Sequence, residues 1–458
     1  MSAIVNTSSQ DNSFVIDAPG RIPVFPEEIL QLVFSYLDVG TFDDSSDGKN
    51  ERLSTLVRIS YVSKTFRRVV RPMLYRTLGI EDWHLERRRN LLRTLLEHPG
   101  TGKLVQHFAS GDWYTRHGHD QRNEPPMPLS DDMKAVLLPC ADVIELPATL
   151  AYRLRWELEQ GIEDAETAML MLMMPGLRLL ELRCPHGYVH SLVHAVLPHA
   201  FLAELIEVSV SSESSIPLFL VDLAPLTQLP TLRSFKGDNV SAHEVSTKLI
   251  GRGMPPLKQL HLDSCPLDEN SFEAVLQTYS GLESLFWSAD ANMSYETRYN
   301  KIGTILRSSG LGMKDLHISV GSTDYYDHLF PGPSASLGNL RELPSLQHLH
   351  VTYGGLLGKP SDASLSHLTN ILPFSLQTLF IARVESHELG RNHDEYINID
   401  SASKFDLNIL ELLQDERYCG LRSVKFERKG AFTFRDEATE AGWELSVISK
   451  LNSLCKQC

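Results

Sequence analysis

Chemistry needs ligating, nucleophilic or titratable side chains at spacings that a fold can use, and four groups in this chain qualify. His186, His190 and His194 recur every fourth residue, which on a helix aligns three imidazoles along one face. A zinc site would also need a further ligand and outer-shell support, and the segment Tyr188 to Leu197 also reads as the returning helix of a repeat. It is therefore taken as a solvent-facing helix rather than a metal site. His117-Gly118-His119-Asp120 sits in a polar stretch and reads as loop. Cys455 and Cys458 form a C-x-x-C with no second pair near it, and such short matches arise by chance. The motifs of P-loop nucleotide binding, serine hydrolysis and zinc proteolysis are all missing. No metal, no cofactor and no catalytic role are expected. The fourth group is a scattered set of histidines and phenylalanines, whose relation emerges only from the elements that carry them.

Those elements repeat. Leu177-x-x-Leu180-x-Leu182 is followed by Leu205-x-x-Val208-x-Val210, a degenerate Leu232-x-x-Phe235, and Leu257-x-x-Leu260-x-Leu262-x-x-Cys265-x-Leu267. Five more units begin at Leu282, Met313, Leu346, Leu376 and Leu421. Each pattern predicts a short strand and a returning helix, neither able to bury its apolar side alone, so that stacking makes a continuous core. The returning helices are expected near Ser271 to Thr278, Ala363 to Asn370 and Asp406 to Gln414. The spacing and the Leu257–Leu267 unit resemble leucine-rich repeats, whose period is about 20–29 residues. The longer intervals imply insertions.

Strand geometry turns the repeat into a site. Side chains alternate across a strand, so a residue between repeated leucines points away from the core, onto the concave face of a solenoid. The position between the second and third leucines reads Glu181, Ser209, Lys236, His261, Phe286, His317, His350, Phe380 and Lys425. Two exposed phenylalanines and three histidines in adjacent turns mark a binding surface. The neighbouring row adds Gln259, Ser284, Asp315, His348 and Thr378. The target-binding candidates are His261, Phe286, His317, His348, His350 and Phe380. Burial of Phe286 and Phe380 under the long insertions is the competing reading.

Composition narrows the class. The chain has 458 residues, 42% hydrophobic and 22% charged, with a formal net charge of -15. A general nucleic-acid binder needs cations against phosphate, so that role is disfavoured. Six cysteines in such a length make no disulfide framework. The polar N-terminus lacks the features of a secretory signal, and no run approaches the roughly 20 apolar residues of a membrane span. The expectation is an intracellular protein, cytoplasmic or nuclear, with neither nucleic acid nor membrane as partner.

Ahead of the repeats, Phe25-Pro26-Glu27-Glu28-Ile29-Leu30 leads into Val33-Phe34-Ser35-Tyr36-Leu37 at helical spacing. Pro26 suits a first helical position, and Glu27 and Glu28 suit the positive helix end. A second helix is predicted from about Leu53 to Val70, and a third starting at Pro72. Between the first two, Asp38 to Glu51 is acidic and reads as a solvated loop. The ordered segments, with Val62-Ser63-Lys64-Thr65-Phe66-Arg67-Arg68 and Pro72-Met73-Leu74-Tyr75-Arg76-Thr77-Leu78, resemble an F-box, the ending being of a kind common in fungal members. Phe25 stands where the family usually has Leu, and the acidic link is longer than usual.

The F-box resemblance implies docking on a Skp-type adaptor and, through it, a cullin. Phe25, Pro26, Ile29, Leu30, Val33, Phe34, Leu37, Val62 and Phe66 are the adaptor-contact candidates, some of which must instead join the helices to one another. The fold class expected is α/β: a short N-terminal three-helix F-box, then a leucine-rich-repeat solenoid with parallel strands inside and helices outside. The divisions are 1–20 flexible tail, 21–80 F-box, 81–170 linker and degenerate first repeats, 171–440 solenoid, and 441–458 C-terminal cap or tail. The function implied is substrate recognition for an SCF-type ubiquitin ligase, with an unknown protein target on the repeats. The alternatives are a non-ligase repeat scaffold and a small-molecule sensor using the concave face.

Overall fold

The repeat leucines and the strand pairing share one register. In a computed structural model of the chain, Leu180, Val208, Phe235, Leu260, Leu285, Leu316, Leu349, Leu379 and Val424 are successive Cα partners across neighbouring parallel strands. All nine are buried. The structure describes residues 26–37, 46–79, 85–116, 125–185, 191–199, 202–212, 218–241, 257–265, 267–289, 299–320, 336–357, 367–384, 399–428 and 444–447. The chain divides into two units at Thr77 and Leu78.

In the first unit, α1 (Glu27–Ser35), α2 (Ser46–Ser60) and α3 (Lys64–Arg76) surround a core of Leu30, Phe34, Leu56, Val69 and Val70. Three expectations are corrected here. The helix predicted from Leu53 to Val70 is two helices, because Ser63 has extended backbone (φ -158°) and its hydroxyl accepts the Phe66 N–H at 3.1 Å. That is an N-cap, which starts a new helix. Pro72 does not begin a third helix but lies inside α3. Proline forfeits one helical hydrogen bond. Val69, Val70, Met73 and Leu74 nevertheless pack on the core as one stripe and hold the helix through that point. The link expected to be a loop is helical from Ser46 onward.

The second unit is built on a 12-stranded sheet in order β1-β2-β3-β4-β6-β8-β9-β10-β11-β12-β13-β14. These are β1 (Thr77–Gly79), β2 (His107–Ala109), β3 (Leu179–Cys184), β4 (Glu207–Ser212), β6 (Ser234–Asp238), β8 (Gln259–Asp263), β9 (Ser284–Ala289), β10 (Asp315–Val320), β11 (His348–Thr352), β12 (Thr378–Val384), β13 (Ser423–Arg428) and β14 (Glu444–Val447). From β2 onward each neighbouring pair is parallel. A separate pair joins β5 (Leu218–Phe219) to β7 (Val240–Ser241). The third repeat position on β6 is Gly237, and a Cβ there would lie 2.8 Å from Val240 Cγ2. Val240, three residues further along the chain, occupies that space, which is why this repeat looks degenerate in sequence.

Helices Glu269–Thr278, Tyr299–Ser309 and Ile399–Gln414 follow β8, β9 and β12. After β11, by contrast, the described helices are short, Tyr353–Leu357 and Leu368–Ile371. The stretch 81–170, read as linker and degenerate repeats, carries β2 and the larger helices α4 (Leu85–Glu97), Asp131–Val143, Ala148–Gln160 and Glu163–Leu172. Buried polar groups tie them together. Asp164 accepts from Trp113 Nε1 at 2.9 Å, Ser191 Oγ at 2.6 Å and the Leu192 N–H. Arg88 bonds Glu163 at 2.7 Å, and Arg89 bonds Glu166 at 2.8 Å.

Candidate functional site

On α1 two apolar stripes run side by side. Leu30 and Phe34 are each 6% exposed and fill the core, with Leu37 packed against them. Ile29, Leu32, Val33 and Tyr36 lie three and four residues apart on an adjoining face and are exposed. Tyr61 and Val62, at the turn between α2 and α3, are exposed as well, as are Leu53 and Val57 on α2. Phe66 is half-buried and meets Phe34 edge-on at 5.4 Å between ring centres.

The nine adaptor-contact candidates are thereby sorted. Pro26, Ile29, Val33 and Val62 face solvent. Leu30, Phe34, Leu37 and Phe66 join the helices to one another. Phe25 lies outside the described residues. Leu32, Tyr36, Leu53, Val57 and Tyr61 are exposed apolar groups that the motif reading missed, because the F-box pattern fixes its own positions and leaves the intervening ones open.

On the repeats, register places His261, Phe286, His317, His350 and Phe380 directly opposite one another across β8 to β12. Their rings form an unbroken ladder, with centroid separations of 3.7, 3.9, 3.5 and 4.0 Å in that order. Strands stand about 4.8 Å apart, so the rings lean into contact. All five are half-buried, neither solvated spacers nor core. Burial, then the neighbouring imidazoles, hold His317 down to about 3, and burial holds His350 down to about 4. Burial also lowers His261. The ladder is therefore uncharged near pH 7.

The borders of the ladder are charged. Lys236 precedes His261 in the same row and pairs with Glu207 at 2.6 Å. Lys425 follows Phe380 and is exposed. Two residues along the strands and on the same face, Asp238 of β6 stands opposite Asp263 of β8. Burial and the Asp263 charge raise the Asp238 carboxyl above its usual range. The row reading stopped one position short of this pair, although strand alternation puts Asp263 beside His261. His348, in the neighbouring row, bonds Thr378 Oγ1 at 2.7 Å and lies 3.7 Å from Asp315.

At the other end of the face a cleft of about 240 Å³ is lined by Ala109, Ser110, Gly111, Glu181, Leu182, Arg183, Ser209 and Ser211. His107 and Glu181 are 3.0 Å apart at its edge. Among the described residues no cluster of three or more His, Cys, Asp or Glu could hold a metal ion. His194 Nε2 is 2.6 Å from the Asp222 carbonyl, while His186, His190, His117, His119, Cys455 and Cys458 lie outside the described residues. No helix among the described residues is long and apolar enough to cross a membrane.

The described residues thus comprise a helical unit with an exposed apolar stripe on its first helix and a parallel repeat sheet with a half-buried ring ladder on one face. Residues 22–81 match the model of F-box-like domains, and residues 197–405 match that of a leucine-rich repeat domain. These matches identify the chain as an F-box protein with C-terminal leucine-rich repeats. That architecture is typical of non-catalytic adaptors and receptors, and F-box domains generally bind Skp-type adaptors. No curated protein matches the chain.

Proposed function

We propose that the chain is the substrate-recognition subunit of an SCF-type (Skp–cullin–F-box) ubiquitin ligase, serving ubiquitin-dependent protein degradation. The first unit docks on a Skp-type adaptor, the adaptor joins it to a cullin, and the open face of the repeat sheet holds the target protein. The carrying observation is the outward stripe of α1, Ile29, Leu32, Val33 and Tyr36, on a helix whose other stripe already fills the core. Such a stripe in a unit of this size is the signature of a helix that completes its burial against a partner. The chain supplies no covalent chemistry. Its contribution is tethering, which raises the effective concentration of target lysines and orients them.

Co-purification of the full chain with a Skp-type adaptor and a cullin tests the reading. The natural chain is expected to capture both. Ile29→Asp/Val33→Asp should lose both, with adaptor affinity down about 30-fold or more, as for hot-spot residues, and with thermal unfolding unchanged. Failure of the natural chain to capture adaptor would reject the ligase reading and leave the repeat scaffold.

A further inference from the structure

The ring ladder belongs to the target surface already proposed, and its chemistry narrows the target. We propose that the face from Lys236 to Lys425 takes an extended, arginine-bearing peptide segment laid across the strands, with guanidinium groups stacked on the rings and one of them paired to Asp238 and Asp263. The proposal rests on reading this face as the target surface but not on adaptor binding.

Three observations carry it. The first is length: five rings on five neighbouring strands span about 19 Å at the usual strand spacing, or about six residues of polyproline helix at 3.1 Å each. Aromatic-lined grooves favour that preformed, low-entropy conformation. The second is the nature of the surface, an uncharged run of rings, half-exposed and in mutual contact. Planar guanidinium stacks on ring faces, and the quadrupole of Phe286 and Phe380 attracts cations.

The third is charge. Asp238 and Asp263 oppose each other across two strands at the His261 end, and like charges so placed destabilise a sheet. Among the described residues no lysine or arginine pairs with either, and Lys236, the nearest cation in the row, is engaged by Glu207 at 2.6 Å. A cation brought by the ligand would relieve the repulsion. The chain's net charge of -15 favours the same partner. It also opposes nucleic acid, whose bases could stack on the rings but whose phosphates would meet Asp238, Asp263 and Asp315. Lys425, at the far end, faces whatever acidic or carboxyl-terminal group follows, and so gives the segment a direction.

Fluorescence anisotropy with the full chain and labelled peptides tests this. The probes are alternating Arg-Pro, Lys-Pro and Glu-Pro dodecamers and a single-stranded oligothymidylate. Arg-Pro should bind at least about tenfold more tightly than Glu-Pro or the oligonucleotide, and several-fold more tightly than Lys-Pro, because lysine carries the charge without the planar fork. Asp238→Asn/Asp263→Asn and, separately, Phe286→Ala should each weaken Arg-Pro about tenfold. Asp131→Asn/Asp132→Asn, at two exposed positions in the first turn of a helix remote in sequence from the ladder, should leave binding unchanged and so exclude a general attraction to an acidic chain. Equal binding of Arg-Pro and Lys-Pro, tighter binding of the acidic peptide or oligonucleotide, or Arg-Pro binding untouched by both ladder variants would overturn the proposal. Adaptor capture is measured on the same samples. Capture with no peptide preference sinks only the peptide class, whereas preference without capture sinks only the ligase reading.

Discussion

Leu30 and Phe34 sit one position from Ile29 and Val33 and face the opposite environment. The motif marks all four, but their roles differ. Phe34→Ala opens a hole in a core of five buried side chains and should cost about 3–5 kcal/mol. Ile29→Ala should cost about 0.5 kcal/mol or less, as an exposed change does. Urea unfolding of the two variants, followed by the signal of the first unit, distinguishes them. The ladder histidines bear on pH. Above the ordinary histidine value of 6.5 both states are neutral. Below it the unfolded chain binds protons that His317, held near 3, and His350, held near 4, refuse. Their contribution therefore falls as the pH drops through that window. Glu166 has the reverse sign, since burial holds its carboxyl at about 7, against the pull of Arg89, so that in the interval above 4.5 the folded state binds the extra proton. Denaturant midpoints at pH 7 and pH 5 should show a smaller acid loss in His317→Phe/His350→Phe than in the natural chain, and a larger one in Glu166→Gln.

At the scale of elements, the strands were legible because Leu-x-x-Leu-x-Leu states both period and facing, and the ladder followed from facing alone. The first-unit helices were legible in number but not in extent. Apolar residues from Leu56 to Val70 keep near-helical spacing across Ser63, so periodicity conceals a break that only the cap hydrogen bond reveals. Ser63→Ala should cost about 1 kcal/mol and shorten α3 from its N-terminal end, readable as lost amide protection near Phe66. The helix Tyr299–Ser309 owes its seat to a glycine: a Cβ on Gly303 would lie 1.7 Å from the Leu337 carbonyl oxygen. Gly303→Ala gains helix propensity yet should still cost about 1–3 kcal/mol through overpacking, seen in thermal unfolding. No periodicity announces this, because the neighbour comes from the next repeat. Asp238 and Asp263 were within reach of the same alternation, lying two residues beyond Lys236 and His261 on the same face, but they fall outside the repeated leucine frame on which the row was read.

For the whole molecule, charge and topology act together. A chain of net charge -15 that presents its carboxylates beside the ring ladder should draw a basic segment in faster than diffusion alone. Association rates for the Arg-Pro peptide are therefore expected to fall with added salt more than dissociation rates rise, which stopped-flow measurement would show. The buried Asp164 adds an element of timing. Its carboxyl group accepts from Trp113, which precedes it, and from Ser191 and Leu192, which follow. A ribosome delivers these groups in sequence, so a nascent chain released only as far as Asp164 holds an acid with two of these three donors still unsynthesised. The start of the repeat unit should then wait, unlocked and open to chaperones or proteases, until the helix that begins at Leu192 is well clear of the exit tunnel.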